Sequence, residues 1–122
     1  MDPYVVQWLD RFNAGEYHSA HEAAELAWHA ASGRDRDFLK GLVHAAVSLH
    51  HHYANNPHGA RVKRDSALRY LSPSEPDYGG IAVSALRREL RRFYHQCQPG
   101  LPSSDVPPPV ARRQDQELVP LN

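Results

Sequence analysis

Apolar side chains recur every three or four residues through most of the first 97 positions, a spacing that predicts amphipathic helices. Glycine, proline and asparagine residues interrupt this pattern at signals that start or stop helices. Five helical segments are predicted in this way, at residues 2–14, 17–31, 34–55, 57–71 and 81–97. The sequence has no strand-like alternation of apolar and polar residues and no internal repeat, so we expect an all-α fold.

Local signals place several of these helix boundaries. Asp2 and Asn56 each precede a proline, which is the arrangement of an N-cap followed by proline at the first helical position. Ser19 and Glu22 have the spacing of a capping box, so the second helix begins either at Tyr17 or after Ser19.

The connections between segments are short, which predicts that consecutive helices run antiparallel. Gly41 lies inside the third segment, where it costs about 1 kcal/mol relative to alanine, and it indicates the close approach of another helix. Prolines become frequent after residue 97 and large apolar side chains become rare. We therefore predict a single-domain antiparallel bundle of about five helices in residues 1–97 and a disordered or loosely attached tail in residues 98–122.

Composition narrows the functional classes. The 14 basic and 14 acidic residues give a formal net charge of zero, so nucleic acid is not an expected partner. The single cysteine, Cys97, excludes an intrachain disulfide and a cysteine-based zinc site. No apolar run approaches the roughly 18 residues that span a bilayer, and the first residues lack the pattern of a signal peptide. We expect a cytoplasmic protein with no membrane partner.

Histidine is unusually abundant, with nine residues in the chain. On the second segment, His18, His21, Glu22 and Glu25 stand at positions i, i+3, i+4 and i+7, which places them within an arc of about 100° on one helix face. Two imidazoles and two carboxylates on one stripe are typical of a divalent-metal site or of proton transfer.

A second polar stripe on the third segment contains Asp37, His44, Ser48 and His51. If the two helices pack against each other, the stripes can meet. The side chains that would then converge are His21, Glu22, Glu25, His44 and His51. This convergence is a hypothesis, because the sequence does not fix the rotation of either helix, and a buried His–Glu network can be purely structural.

The stretch His21-Glu22-x-x-Glu25-x-x-Trp28, which follows Phe12-Asn13-x-Gly15, resembles the DUF309 family. Further matching stretches are residues 38–47, 56–60, 67–71 and 78–81, so the resemblance covers residues 5–95. It implies an all-helical fold and the label of metal-dependent hydrolase that some members carry. The family motif maps onto His21, Glu22, Glu25, Trp28 and His51.

This chain departs from the family pattern at three positions. His18 stands where an aromatic residue is usual, and His44 stands where glutamine is usual, so both add candidate ligands. Ala82 replaces an aspartate and removes an N-cap, which costs about 1 kcal/mol unless Ser84 compensates.

Two functional hypotheses follow. In the first, His21, Glu25 and His51 bind a divalent zinc, manganese, nickel or iron ion, with His44 and His18 as auxiliary ligands. Glu22 is then the general base that acts on metal-bound water in a hydrolase. This hypothesis requires ligand atoms within about 2.0–2.2 Å of one point and an open coordination position.

In the second hypothesis the chain is a non-enzymatic helical module that forms a homo-oligomer or binds a partner. Trp28 and Tyr17 then line a groove, and histidine and glutamate side chains contact each other directly with no room for an ion. Neither hypothesis identifies a substrate, so any small molecule that the chain binds is unknown. Nucleic-acid binding through the arginines of the fifth segment is a more distant alternative.

Overall fold

The computed structural model describes residues 1–97 and 103–116. Its five α-helices are α1 (Pro3–Asn13), α2 (Tyr17–Ala30), α3 (Gly33–Tyr53), α4 (Pro57–Leu71) and α5 (Val83–Gln96). Short 3-10 turns lie at Ser72–Ser74, Ser103–Asp105 and Gln114–Gln116. The described residues contain isolated β-bridges but no strand. The predicted all-α fold of five helices is confirmed.

Two of the predicted helix starts are confirmed by their hydrogen bonds. The Tyr4 N–H donates to Asp2 Oδ1 at 2.7 Å, and the Gly59 N–H donates to Asn56 Oδ1 at 3.0 Å. In contrast, α2 begins at Tyr17 without a side-chain cap, so the alternative capping box does not form. The hydrogen bonds to Asp2 and Asn56 satisfy backbone N–H groups that have no partner within their own helix.

The central helix of the bundle is α3, which packs against both α2 and α4. The α3–α4 contact is close at Gly41, where an added Cβ would lie 2.6 Å from Leu71 Cγ, and this confirms the predicted close approach. Trp8 Nε1 donates to the Leu42 carbonyl at 2.9 Å and so ties α1 to the same helix. The largest fully buried side chains include Trp8, Phe12, Leu42, Leu49, Leu71, Leu86, Leu90 and Phe93.

The arginines of α5 do not form one continuous free basic face. Arg87 pairs with Glu75 and also donates to the Leu68 carbonyl at 3.1 Å. Arg92 pairs with Glu89 at 3.0 Å. The Arg92–Glu89 pair lies within α5, and Arg92 also donates to the Pro107 carbonyl at 2.7 Å, so both arginines link α5 to other parts of the chain.

The start of α5 has no side-chain cap, as expected from Ala82 at the N-cap position. Ser84 does not compensate, because its hydroxyl donates to Glu75 Oε2 at 2.7 Å instead. The Ala82 N–H donates to the Arg112 carbonyl at 2.9 Å, so the C-terminal residues support this end of the helix.

Residues 103–116, the C-terminal strap, pack against the bundle. Asn13 Nδ2 donates to the Ala111 carbonyl at 2.8 Å, and its Oδ1 accepts from the Ala111 N–H at 2.9 Å. Val106, Pro109 and Ala111 are buried. The prediction of a disordered tail is therefore corrected for this stretch. For residues 98–102 and 117–122 that prediction lies outside the described residues.

No helix within the described residues combines the length and apolarity that crossing a membrane requires.

Candidate functional site

Helices α2 and α3 pack antiparallel, so the start of α2 lies beside the end of α3. The Tyr17 and Tyr53 rings stack with centroids 5.8 Å apart, and at the opposite end the Arg36 guanidinium lies 3.9 Å from the Trp28 ring. The buried residues along this packing are mostly alanines, at positions 20, 23, 24 and 27 of α2 and positions 45 and 46 of α3. Small side chains let the two backbones approach, and the larger polar side chains lie beside the α2–α3 contact.

A cavity of about 230 Å³, here called the α2–α4 cleft, opens between α2, α3 and α4. Its apolar lining comes from Trp28, Val43 and Val47. Its polar lining comes from His21, Glu25, Lys40, His44 and Lys63. The cleft therefore gathers one part of the predicted His/Glu cluster and adds two lysines to it.

His21 and Glu25 contact each other directly on one wall of the cleft. His21 Nε2 lies 2.9 Å from Glu25 Oε2, and its Nδ1 donates to the His18 carbonyl at 3.1 Å. Both ring nitrogens of His21 thus face acceptor oxygens, whereas an imidazole that binds a metal must direct a lone pair at the ion.

His44 lines the cleft from α3 and is held in its neutral form. Burial lowers its pKa to about 4, and the positive charges of Lys63, Lys40 and Arg69 act in the same direction. Its ring lies edge-on to Tyr70 with centroids 5.8 Å apart. Its Nδ1 is buried and has no hydrogen-bond partner among the described residues.

Trp28 contributes a second buried polar atom without a partner. Its Nε1 is buried and no described residue accepts its hydrogen. The Arg36 guanidinium covers the ring and also donates to the Trp28 carbonyl at 3.3 Å. A buried donor without an acceptor costs about 1–3 kcal/mol and calls for an explanation.

The lysines of the cleft are not neutralised by acidic side chains. Among residues 1–97 and 103–116, neither Lys40 nor Lys63 has a carboxylate within 4.0 Å. Lys40 Nζ instead lies 4.9 Å from the centre of the Tyr70 ring, and Lys40 and Arg69 lower the pKa of that phenol by hydrogen bonding and charge.

Glu22 and His18 lie outside the cleft. Glu22 faces a shallow depression with Leu26 and His29, and Glu25 lines both this depression and the cleft. His18 Nε2 lies 3.5 Å from Glu22 Oε1, and the two side chains are 64% and 61% exposed. The structure therefore does not place the predicted general base beside His44.

His51 also lies away from the cleft. Its Nδ1 accepts a hydrogen bond from Asn56 Nδ2 at 3.3 Å, which places it at the turn between α3 and α4. His51 follows His44 by seven residues, so it shares the same face but lies about 10 Å further along the helix. The part of α2 that lies at the level of His51 is its start, near Tyr17. Among the described residues His51 is therefore not level with His21.

Of the five side chains that were predicted to converge, His21, Glu25 and His44 line one cleft, whereas Glu22 and His51 do not line it. In the part of the chain that the structure describes, no group of three or more histidine, cysteine, aspartate or glutamate side chains is placed to hold a metal ion. Whether His21, Glu25, His44, His18 or His51 binds a metal stays a prediction.

Lys63 is the cleft residue that the sequence did not reveal. It lies on α4 at i, i+4 and i+7 spacing with Ala67 and Tyr70, so these residues share one helix face. That spacing shows a common face but not which neighbouring helix the face meets.

A comparison with curated proteins finds no match. The model of the DUF309 family, described as a domain of unknown function, matches residues 5–62, a region that includes most of α1, all of α2 and α3, and the start of α4. The resemblance noted for residues 63–95 lies beyond this match and stays a prediction. The match supports the assignment to the DUF309 family over residues 5–62, which include the His21-Glu22-x-x-Glu25-x-x-Trp28 stretch.

Proposed function

We propose that the chain is a non-enzymatic helical binding module and that the α2–α4 cleft is its binding site. The observation that carries this proposal is the direct contact of 2.9 Å between His21 Nε2 and Glu25 Oε2. The second sequence hypothesis requires such a contact, whereas a catalytic metal needs about three protein ligands around one ion.

The His21–Glu25 pair has a structural role in this proposal. The two residues are one helical turn apart, and their side chains are 22% and 43% exposed. Pairs with this spacing stabilise a helix by about 0.2–0.5 kcal/mol. The pair therefore adds little to overall stability. Its role is to keep the two side chains against each other on one wall of the cleft.

The cleft has the general character of a small-molecule site, with an apolar lining and a few polar groups. Its volume of about 230 Å³ lies just below the usual range of about 300–1,000 Å³, which favours a small ligand. The homo-oligomer expected from the sequence stays a prediction.

The structural role of the pair is tested by urea unfolding with and without a chelator. The variants are His21→Gln, Glu25→Gln and the double variant, with His95→Gln, at an exposed histidine of α5, as a control. We expect the chelator to leave the midpoint of the wild-type protein unchanged, and we expect His21 and Glu25 to be coupled in the double-mutant cycle.

A metal ion bound to His21 would give a different result. If the chelator lowers the wild-type midpoint and has no effect on His21→Gln, then His21 holds a metal ion and the proposal of a structural pair is wrong. The metal-dependent hydrolase of the first sequence hypothesis would then be favoured.

A further inference from the structure

The α2–α4 cleft has more positive than negative charge. Lys40 and Lys63 line it without a carboxylate partner among the described residues. Glu25 is the carboxylate that lines the same cavity, and it is already engaged by His21 at 2.9 Å. Two ammonium groups are therefore left to attract an anion.

His44 also lines the cleft, and its ring is held neutral there. Burial lowers its pKa, and the charges of Lys63, Lys40 and Arg69 act in the same direction. A neutral His44 can still donate one hydrogen bond or accept one, depending on its tautomer.

Two buried polar atoms on residues of this cleft lack partners. Trp28 Nε1 is a donor, and His44 Nδ1 is a donor in one tautomer. Polar atoms in a protein interior are nearly always hydrogen-bonded, so the unpaired atoms on these two lining residues favour a ligand that supplies acceptors once the side chains adjust to it. An acceptor is also the group that the two lysines favour.

We propose that the α2–α4 cleft binds a small organic carboxylate, with its anionic group at Lys40 and Lys63 and its apolar part on Trp28, Val43 and Val47. This inference rests on the proposed function and adds the chemical class of the ligand. The volume of about 230 Å³ suits a ligand of the size of one aromatic ring with a carboxylate.

The two tryptophans allow a direct test in the full-length protein by two-dimensional NMR of their indole N–H groups. Trp28 lines the cleft, whereas Trp8 is fully buried and its Nε1 already donates to the Leu42 carbonyl. The probes are benzoate, benzyl alcohol and benzylamine, which share a ring and differ in charge. We expect benzoate to shift the Trp28 signal saturably at millimolar concentration while the Trp8 signal stays in place, and we expect the other two probes to have little effect.

A pair of variants separates the effect of a lysine in the cleft from the effect of the net charge of the protein. Lys63→Gln removes one ammonium group from the cleft, and Arg91→Gln removes one positive charge from the exposed side of α5. We expect Lys63→Gln to weaken benzoate binding about tenfold, as for the loss of one charged hydrogen bond, and Arg91→Gln to leave it unchanged. The Trp8 signal reports whether each variant is folded.

Three results would overturn the inference. These are equal binding of benzyl alcohol or benzylamine, unchanged benzoate binding by Lys63→Gln, and no shift of the Trp28 signal by benzoate. Binding of the neutral or the cationic probe would leave the cleft a binding site for another class of ligand. The chelator experiment decides the role of the His21–Glu25 pair independently of these outcomes.

Discussion

His44 shows how the environment of one residue sets its chemistry. The sequence identifies it as a candidate ligand because it lies on a polar stripe, but its protonation depends on lysines from two helices. Burial and the charges of Lys63, Lys40 and Arg69 lower its pKa to about 4, below the usual value of 6.5. The unfolded chain therefore binds more protons than the folded one between about pH 4 and pH 6.5.

This difference predicts how stability depends on pH. Because the unfolded state takes up the extra proton, the free energy of unfolding should rise with pH from about 4 to 6.5 and then level off. His44→Gln, which keeps a polar side chain that does not titrate, should make this rise smaller. His52, whose pKa burial also lowers, should preserve part of it.

Urea unfolding at pH 4.5 and pH 7.0 measures the effect. The stability difference between the two pH values should be smaller in His44→Gln than in the wild-type protein. An identical difference in both proteins would show that His44 is not held neutral by its surroundings.

Gly41 is a second residue whose role depends on a neighbouring helix. A Cβ at this position would lie 2.6 Å from Leu71 Cγ and 3.3 Å from the Leu71 backbone nitrogen, and Leu71 is fully buried. Gly41→Ala should therefore destabilise the protein by about 1–3 kcal/mol, although alanine is the better helix former.

A double-mutant cycle with Leu71→Ala checks the cause. The smaller side chain makes room for the new methyl group, so the double variant should be more stable than the sum of the two single effects predicts. A Gly41→Ala protein as stable as wild type would contradict the observed close packing.

At the level of elements, the helices were predictable because their signals are local. Apolar periodicity, the two Asx-Pro starts and the glycine after α1 depend on residues within one or two turns of each other. The C-terminal strap was not predictable in this way. Backbone atoms of the strap form hydrogen bonds with Asn13, Gly80, Ala82 and Arg92. These four residues are far from the strap in the sequence.

The strap predicts a long-range effect of Asn13. The Asn13 amide makes both a donated and an accepted hydrogen bond with Ala111. Asn13→Ala should lower the free energy of unfolding by about 1–2 kcal/mol and increase hydrogen exchange in residues 106–114. Asn13→Asp, which keeps the acceptor for the Ala111 N–H but sets a carboxylate oxygen against the Ala111 carbonyl, should also increase this exchange. Unchanged exchange in Asn13→Ala would show that this contact does not hold the strap.

At the scale of the whole molecule, the helical spacing predicts which residues lie near each other on a helix, but not which way that face turns or the level at which two helices meet. His21, Glu25 and His44 meet at one cleft because the antiparallel register of α2 and α3 brings them to the same level. His51 is on the correct face of α3 but lies too far along it, and Glu22 is on the outer side of α2. Helix register is a property of tertiary packing, which a single sequence does not encode in any local pattern.

In the proposed binding module the His21–Glu25 pair is structural and the cleft binds a ligand other than a metal ion. Elemental analysis of the metal content of the untagged protein tests this. The protein is first supplied with zinc, manganese, nickel and iron, and His21→Ala and His51→Ala are measured beside the wild type. We expect no stoichiometric metal in any of the three proteins. One equivalent of a divalent metal in the wild type, lost in both variants while circular dichroism shows that they remain folded, would contradict this proposal.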